Sequence, residues 1–448
     1  SSSYLSRLRS AERRRGCFAF SQGGSVLAQI HEIHMHNFYR AGAGALAMLW
    51  TSGLSAGEAP LSLSEAVKIA VTAEDPALLG FDAKAEALED RAIADSQLPD
   101  PTIRGALANI STDTFRFAQE NMTRAQVGLR QAFPAGRTLS LMGERRRGEA
   151  DIERARKDLT LREIELAVRL AWFDQYYWRW AQNSVRESQT TVSELMRSLH
   201  ASYSTGSLTT QHILRAELEL SLLDDQLTDL QRREAITRAD LARYLGAAAV
   251  RPLSDHMPDL APPPMLTDME TVLVRHPAVL LADAVVDVGS TDIALAEQSY
   301  KPSWALEAGY GARGGGRSDL ATIGVTLSIP LFVANRQDRR VSAATLDRGA
   351  ARLDRAATLL ELQRDLERAN ADWILLGDRV ELYGAAIIER ARETASASIS
   401  TYASGRTDFA EMIRSQLAEL DVELKRVKLL TERGKAWARL DYLVGDIQ

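Results

Sequence analysis

Four charged side chains gather near the end of the chain: Arg406, Asp408, Glu411 and Arg414. Two carboxylates and two guanidiniums at this spacing can do electrostatic work. They can pair, repel one another when crowded, or attract a cation. The same spacing suits plainer ends. Thr407 or Asp408 fits a helix N-cap, and Asp408, Glu411 and Arg414 fit an i,i+3 series along a solvated helix face. No nucleophile or base joins them. His200, His212, His256 and His276 are too scattered for a metal cage and no cysteine supports them, so no bound metal or cofactor is expected. There is no convergent Ser/His/Asp set, no phosphate-binding loop and no dinucleotide fingerprint. The residues point to a non-enzymatic protein.

The quartet lies just past Tyr402-Ala-Ser-Gly405, and about two hundred residues earlier Tyr203-Ser-Thr-Gly206 repeats that pattern. Each is expected to be a tight turn, over 203–210 and 402–408, with glycine in the left-handed conformation. Long helices must flank both. Ile152, Ala155, Leu159, Leu166, Leu170, Phe173, Tyr177 and Trp180 form an apolar seam before the first turn. Ile213, Leu220, Leu223, Leu227 and Leu230 continue it, and Ile413, Leu417, Leu420, Leu424 and Val427 follow the second turn. A period near 3.5 with charges between is coiled-coil patterning. Trp172, Trp178 and Trp180 belong to such packing, not to a ligand cage. If wholly helical, the stretch from Pro134 to Gly206 would reach roughly 110 Å, longer than any compact domain needs.

The turns are two of several landmarks that occur twice. Asp75-Pro-Ala-Leu78 pairs with His276-Pro-Ala-Val279, Pro101 with Pro302, and Phe133-Pro134 with Ile329-Pro330. Leu241-Ala-Arg-Tyr-Leu-Gly246 pairs with Leu440-Asp-Tyr-Leu-Val-Gly445, and all offsets lie between 196 and 201 residues. This is the signature of a duplication. It divides the chain into repeat 1 over 60–250, a linker over 251–265 that holds Pro262-Pro-Pro264, and repeat 2 over 266–448. Each repeat starts with a helix, to about Ser96 or Ser299, that stops at a proline.

Two strands are expected next in each repeat, over about 102–110 and 123–133, then about 303–312 and 321–329. The second pair is the clearer. Trp304, Leu306, Ala308 and Tyr310 alternate with Ala305, Glu307, Gly309 and Gly311, and Ile323, Val325, Leu327 and Ile329 alternate with Gly324, Thr326 and Ser328. Period two with one apolar face describes either a hairpin lying on a core or strands that cross a bilayer.

Composition narrows the setting. The 448 residues are 45% hydrophobic, 25% charged and 6% aromatic, with a net charge of −6. That suits a folded protein and gives no reason to expect a nucleic-acid partner. Met35-His-Asn-Phe-Tyr-Arg40, an apolar run from Ala41 to Leu54 and small residues to Ala59 have the layout of a secretory signal peptide. Residues 1–34 then read as an upstream extension. It contains Cys17, the single cysteine, together with His31 and His34. The chain after residue 59 is thus free of disulfides, which fits the Gram-negative periplasm and outer membrane. No apolar run there reaches ~18 residues, so any membrane crossing must be made by strands.

Four strands cannot close a barrel, because single-chain barrels begin at about eight. If these strands meet lipid, several copies must share one barrel, with the helical rods packed as a tube beneath it. At this point the chain from 60 to 448 resembles the TolC-type outer-membrane efflux factors. The similarity rests on the doubled order of elements, on the Pro-Ala-Leu/Val helix starts, on Gln131-Ala-Phe-Pro-Ala-Gly136, and on Tyr-x-x-Gly at each turn. The resemblance implies a mainly α fold with a small β part. Three subunits would form an α-helical tunnel and a shared twelve-stranded outer-membrane barrel. It implies passive conduction, a periplasmic adaptor and an inner-membrane pump of the resistance–nodulation–division type. Gly206, Ser207, Leu208, Thr209, Gly405, Arg406 and Thr407 would dock the adaptor. Arg406, Asp408, Glu411 and Arg414 would form a periplasmic gate. The Phe-Pro-x-Gly version is closest to the heavy-metal cation branch; drug efflux and type I secretion are other cargoes of such channels. A periplasmic adaptor or a purely structural coiled coil are the rival classes, although an adaptor should carry one hairpin, not two.

Overall fold

The computed structural model describes residues 59–204, 210–261 and 272–445. The extension and nearly all of the expected leader lie outside the described residues, as does the proline run of the linker. What is described is mainly helical, with one small sheet.

The chain enters through α1 (Leu63–Thr72) and α2 (Pro76–Asp95), where the pattern suggests one helix. Pro76 explains the break. It has no N–H to donate to a preceding turn, but it is well placed at the first helical position. Asp75 caps the new helix, its Oδ1 accepting from the Ala77 N–H at 2.8 Å. His276 performs the same task before α5 (Pro277–Gln298), with Nδ1 accepting from the Ala278 N–H at 3.2 Å. The Asp75-Pro and His276-Pro sequences are therefore helix-start signals.

Four antiparallel strands follow one another in the sheet: β1 (Thr102–Ala108), β2 (Arg124–Phe133), β3 (Ser303–Arg313) and β4 (Leu320–Ser328). One hairpin comes from each half of the chain. They join between β2 and β3, in register from Arg124 opposite Arg313 to Phe133 opposite Trp304.

The first rod is α3 (Thr138–Ser204), 67 residues and about 100 Å long. The second is α6 (Gln337–Leu382) of 46 residues, a five-residue π turn at Tyr383–Ile387, and α7 (Ile388–Ala403) of 16 residues. Return helices α4 (Thr210–Leu245) and α8 (Phe409–Val444) have 36 residues each. The order helix–strand–strand–rod–return helix thus occurs twice along the chain.

Sheet and rods meet at a tight joint. Gly136 has a φ of +50° and lies so close to Lys301 and Gln298 that a Cβ would approach their side chains to 2.5 and 2.6 Å. Only glycine suits both demands. The Gln298 Oε1 accepts from the Arg137 backbone N–H at 3.1 Å and from Lys301 Nζ at 2.9 Å, which locks the start of α3 to the α5–β3 corner.

The helices share three apolar clusters. One surrounds Trp172 and Phe173 of α3 and draws in Leu61, α1, the end of α4 and Leu253. A second runs from Ala181 and Val185 to Phe409, Met412 and Ile413, and a third holds Leu366, Leu440 and Val444. Arg162 of α3 closes the end of α8, its guanidinium donating to the Asp441 and Tyr442 carbonyls at 3.1 Å. The Asp441 carbonyl accepts in addition from the N–H of the C-cap residue Gly445 at 2.7 Å.

Two outcomes follow from this packing. A Cβ on Gly434 would lie 2.5–2.8 Å from three atoms of the Phe173 ring. G434A should therefore lower stability by about 1–3 kcal/mol through overpacking, seen as a lower thermal midpoint in detergent, with F173L in the same chain recovering part of it. Burial, reinforced by the Arg162 charge, pushes His276 down to about 4. The folded chain then keeps this imidazole neutral while the unfolded chain protonates it near its ordinary ~6.5. Its contribution is full above that value and is lost as the pH falls toward 4. H276N retains a capping oxygen but cannot titrate. Denaturation midpoints at pH 7 and 4.5 should show a smaller acid loss for H276N than for the wild type.

Candidate functional site

The register sorts the strand residues onto two faces. On one stand Ile103 and Leu107 of β1, Val127 and Leu129 of β2, Trp304, Leu306 and Tyr310 of β3, and Ile323, Val325 and Leu327 of β4. Every one of them is at least 43% exposed, and Ile323 reaches 83%. A hairpin lying on a soluble core would bury this face. Here it forms an open apolar band, about 20 Å along β3 from Trp304 to Tyr310. Its helical end is marked by Trp304 stacked on Phe133, ring centroids 4.0 Å apart, and its loop end by Tyr310, which donates to Asp319. Aromatic residues at both margins of an apolar band are what a bilayer-crossing sheet requires.

The opposite face is polar and concave, enclosing about 360 Å³. Arg130 and Glu307 pair across it at 3.2 Å, and the Thr326 hydroxyl donates to the same carboxylate at 3.1 Å. The two outer edges of the sheet, along β1 and β4, have no neighbouring strand among the described residues.

The second turn lies at the far end of the second rod. Gly405, at φ +70°, stops α7 in a Schellman arrangement: the Arg406 N–H donates to the Thr401 carbonyl and the Gly405 N–H to the Tyr402 carbonyl, both at 2.9 Å. Asp408 is the N-cap of α8, accepting from the Glu411 N–H at 2.7 Å. Glu411 pairs with Arg414, while Arg406 is exposed and makes no ion pair among the described residues. The charged quartet is therefore gathered on one exposed tip, held from inside by buried Phe409, Met412 and Ile413. Gly206, Ser207, Leu208 and Thr209 of the first turn lie outside the described residues.

A charged hollow above this tip escaped sequence reasoning. Arg392 of α7 reaches Glu423 at 2.9 Å and Glu419 at 3.8 Å on α8, with Glu187 of α3 on the same hollow. Burial, with Glu423 nearby, raises Glu419 above the usual carboxylate range. The signal was available as charges beside the α8 seam, but their partners are more than 25 residues away in sequence.

Residues 269–446 match the family described as Outer membrane efflux protein. No curated protein sequence matches the chain. Among solved structures, the fold is similar to that of CusC, described for its folding and transmembrane channel formation, at a TM-score of 0.73 and 14% identity, covering 85% of this chain and 91% of that one. It is similar to a membrane protein from Pseudomonas aeruginosa, at 0.74 and 17%, covering 92% and 97%. It is similar also to the outer membrane protein VceC from Vibrio cholerae, at 0.70 and 15%, covering 86% and 96%.

The second half of the chain thus resembles the outer membrane efflux proteins. The fold of the described residues is that shared by these solved membrane proteins.

Capping and charge at the tip can be separated by substitution. D408A should free the first turn of α8 at a cost of about 1 kcal/mol, read as roughly fivefold faster amide exchange over residues 409–413. D408N, which keeps a capping oxygen but removes the charge, should leave that exchange unchanged.

Proposed function

We propose that the chain is one subunit of a trimeric outer-membrane conduit in a tripartite efflux pump. The observation that carries this is the sheet itself, with one face of exposed apolar side chains and both edges unpaired among the described residues. In lipid an unpaired edge costs several kcal/mol for each backbone group left bare. Pairing β4 of one copy with β1 of the next removes both edges, and three copies make a barrel of twelve strands.

The chain is two repeats, 60–250 and 266–448, joined by 251–265. Rods from both then form the tunnel wall. Leu346, Leu353 and Leu360 of α6 recur at seven-residue spacing and are 70%, 73% and 68% exposed. Such a seam suits a neighbouring rod, and we assign it to contact between subunits. The tips, Gly206 to Thr209 and Gly405 to Thr407, dock a periplasmic adaptor that links the conduit to an inner-membrane pump of the resistance–nodulation–division type. Arg406, Asp408, Glu411 and Arg414 line the periplasmic mouth, where three copies of each charge meet. Capping by Asp408 is compatible with this, because its carboxylate remains exposed.

For cargo, the Phe133-Pro-Ala-Gly136 version of the joint supports the heavy-metal branch of the family. In this reading metal ions are cargo that flows past, since the scattered histidines do not make a cage.

Purified protein should need detergent, sediment as a trimer and open ion-conducting pores in planar bilayers. A monomer soluble without detergent would instead favour the adaptor or structural class. L353E with L360E should shift the protein from trimer to monomer in light scattering while its helix content stays the same.

A further inference from the structure

The polar face of the sheet is strongly one-signed. It carries Arg104, Arg124, Arg130 and Arg313 against a single carboxylate, Glu307. Glu307 is already taken by Arg130 at 3.2 Å. Arg124 and Arg313 stand directly opposite each other on β2 and β3, a like-charge placement that destabilises a sheet unless a counter-charge is present. Neither guanidinium has an ion pair among the described residues. Arg124 Nε donates to Gln126 Oε1 at 2.9 Å, and Arg313 Nε to the Ser318 carbonyl at 2.6 Å. Asp319, in the turn between β3 and β4, accepts from the Tyr310 hydroxyl and the Arg313 backbone N–H. The turns beyond the strands do not reverse the balance, since they add Arg116 and Arg317 against Asp113, Glu120 and Asp319.

Glycine makes these charges accessible. Gly128 and Gly309 lie beside Arg104 in the register, and Gly311 lies beside Gln126 on the same face. With no side chains there, nothing fills the wall around the guanidiniums. A Cβ on Gly311 would come within 3.0 Å of Arg124 Cδ, so the Arg124 stem lies across that bare backbone.

We propose that this wall makes the exit barrel anion-selective, with the guanidiniums of Arg104, Arg124 and Arg313, none of them in an ion pair among the described residues, drawing in carboxylate- or phosphate-bearing solutes and opposing free cations. The proposal rests on the trimeric barrel described above, in which each arginine appears three times around one lumen. Rings of fixed positive charge select anions by lowering their energy in the pore, and the guanidinium fork matches carboxylate and phosphate oxygens. A metal cargo would pass such a wall as an anionic complex in preference to a bare cation.

The test uses the full chain in planar bilayers under a KCl gradient. The triple variant R104Q/R124Q/R313Q should lower the chloride-to-potassium permeability ratio by about threefold or more relative to wild type, whereas R104K/R124K/R313K should leave it near the wild-type value. On wild-type pores, inorganic pyrophosphate added on the loop side should reduce the conductance, and magnesium should not. An unchanged ratio in inserted Gln-variant pores, or no block of wild-type pores by pyrophosphate, overturns the proposal. Absence of any pore from wild-type protein would instead remove the conduit on which it rests.

Discussion

Backbone hydrogen bonding at the two free edges of a four-stranded sheet is the constraint on which everything else depends. β1 and β4 each present a row of N–H and C=O groups, and the face between them is apolar and open. In water such an edge invites uncontrolled pairing, and in lipid it is untenable. Closure by further copies of the same strands satisfies both the edges and the face. The ring proposed above accounts for a subunit with only four strands.

The helical part holds two distant hairpins in one register. β1–β2 and β3–β4 are separated by about 170 residues of rod and return helix, yet β2 and β3 pair along their whole length. The joint at Gly136, Gln298 and Lys301 fixes the angle at which α3 leaves the sheet. Farther down, Arg162 and the Gly434–Phe173 approach bind α8 to α3. The second rod differs from the first in its π turn at Tyr383–Ile387. π turns inside long helices are local departures in winding and often mark functional sites.

Much of this was legible in the sequence because its periods are strong. The alternation from Trp304 to Tyr310 and from Ile323 to Leu327 identified both the strands and their apolar face. Gly405 and Asp408 were readable as a helix stop and a helix cap, because those tasks demand particular residue types. The α8 seam through Ile413, Leu417, Leu420, Leu424 and Val427 is buried except at Leu417, which is partly buried against the same cluster. The α3 seam was less legible. Of that seam Phe173 is fully buried, but Ile152, Ala155, Leu159, Leu166, Leu170, Tyr177 and Trp180 are only partly buried, and Ile164, Val168 and Trp172 complete the core. α3 packs against α1, α2, α4, α5 and α8, so no single stripe describes it. The pairing of Arg130 with Glu307 and of Arg392 with Glu423 was illegible, because it depends on register between distant segments.

The most direct measurement of whether the sheet meets lipid is a spin-label scan of β4. With Cys17 replaced by serine, single cysteines at 321–328 would carry nitroxides in the trimer reconstituted into bilayers. Oxygen, which concentrates in lipid, should reach labels at 323, 325 and 327, while a water-soluble nickel complex should reach those at 322, 324 and 326. Uniform access of the nickel complex to both sets would contradict the account.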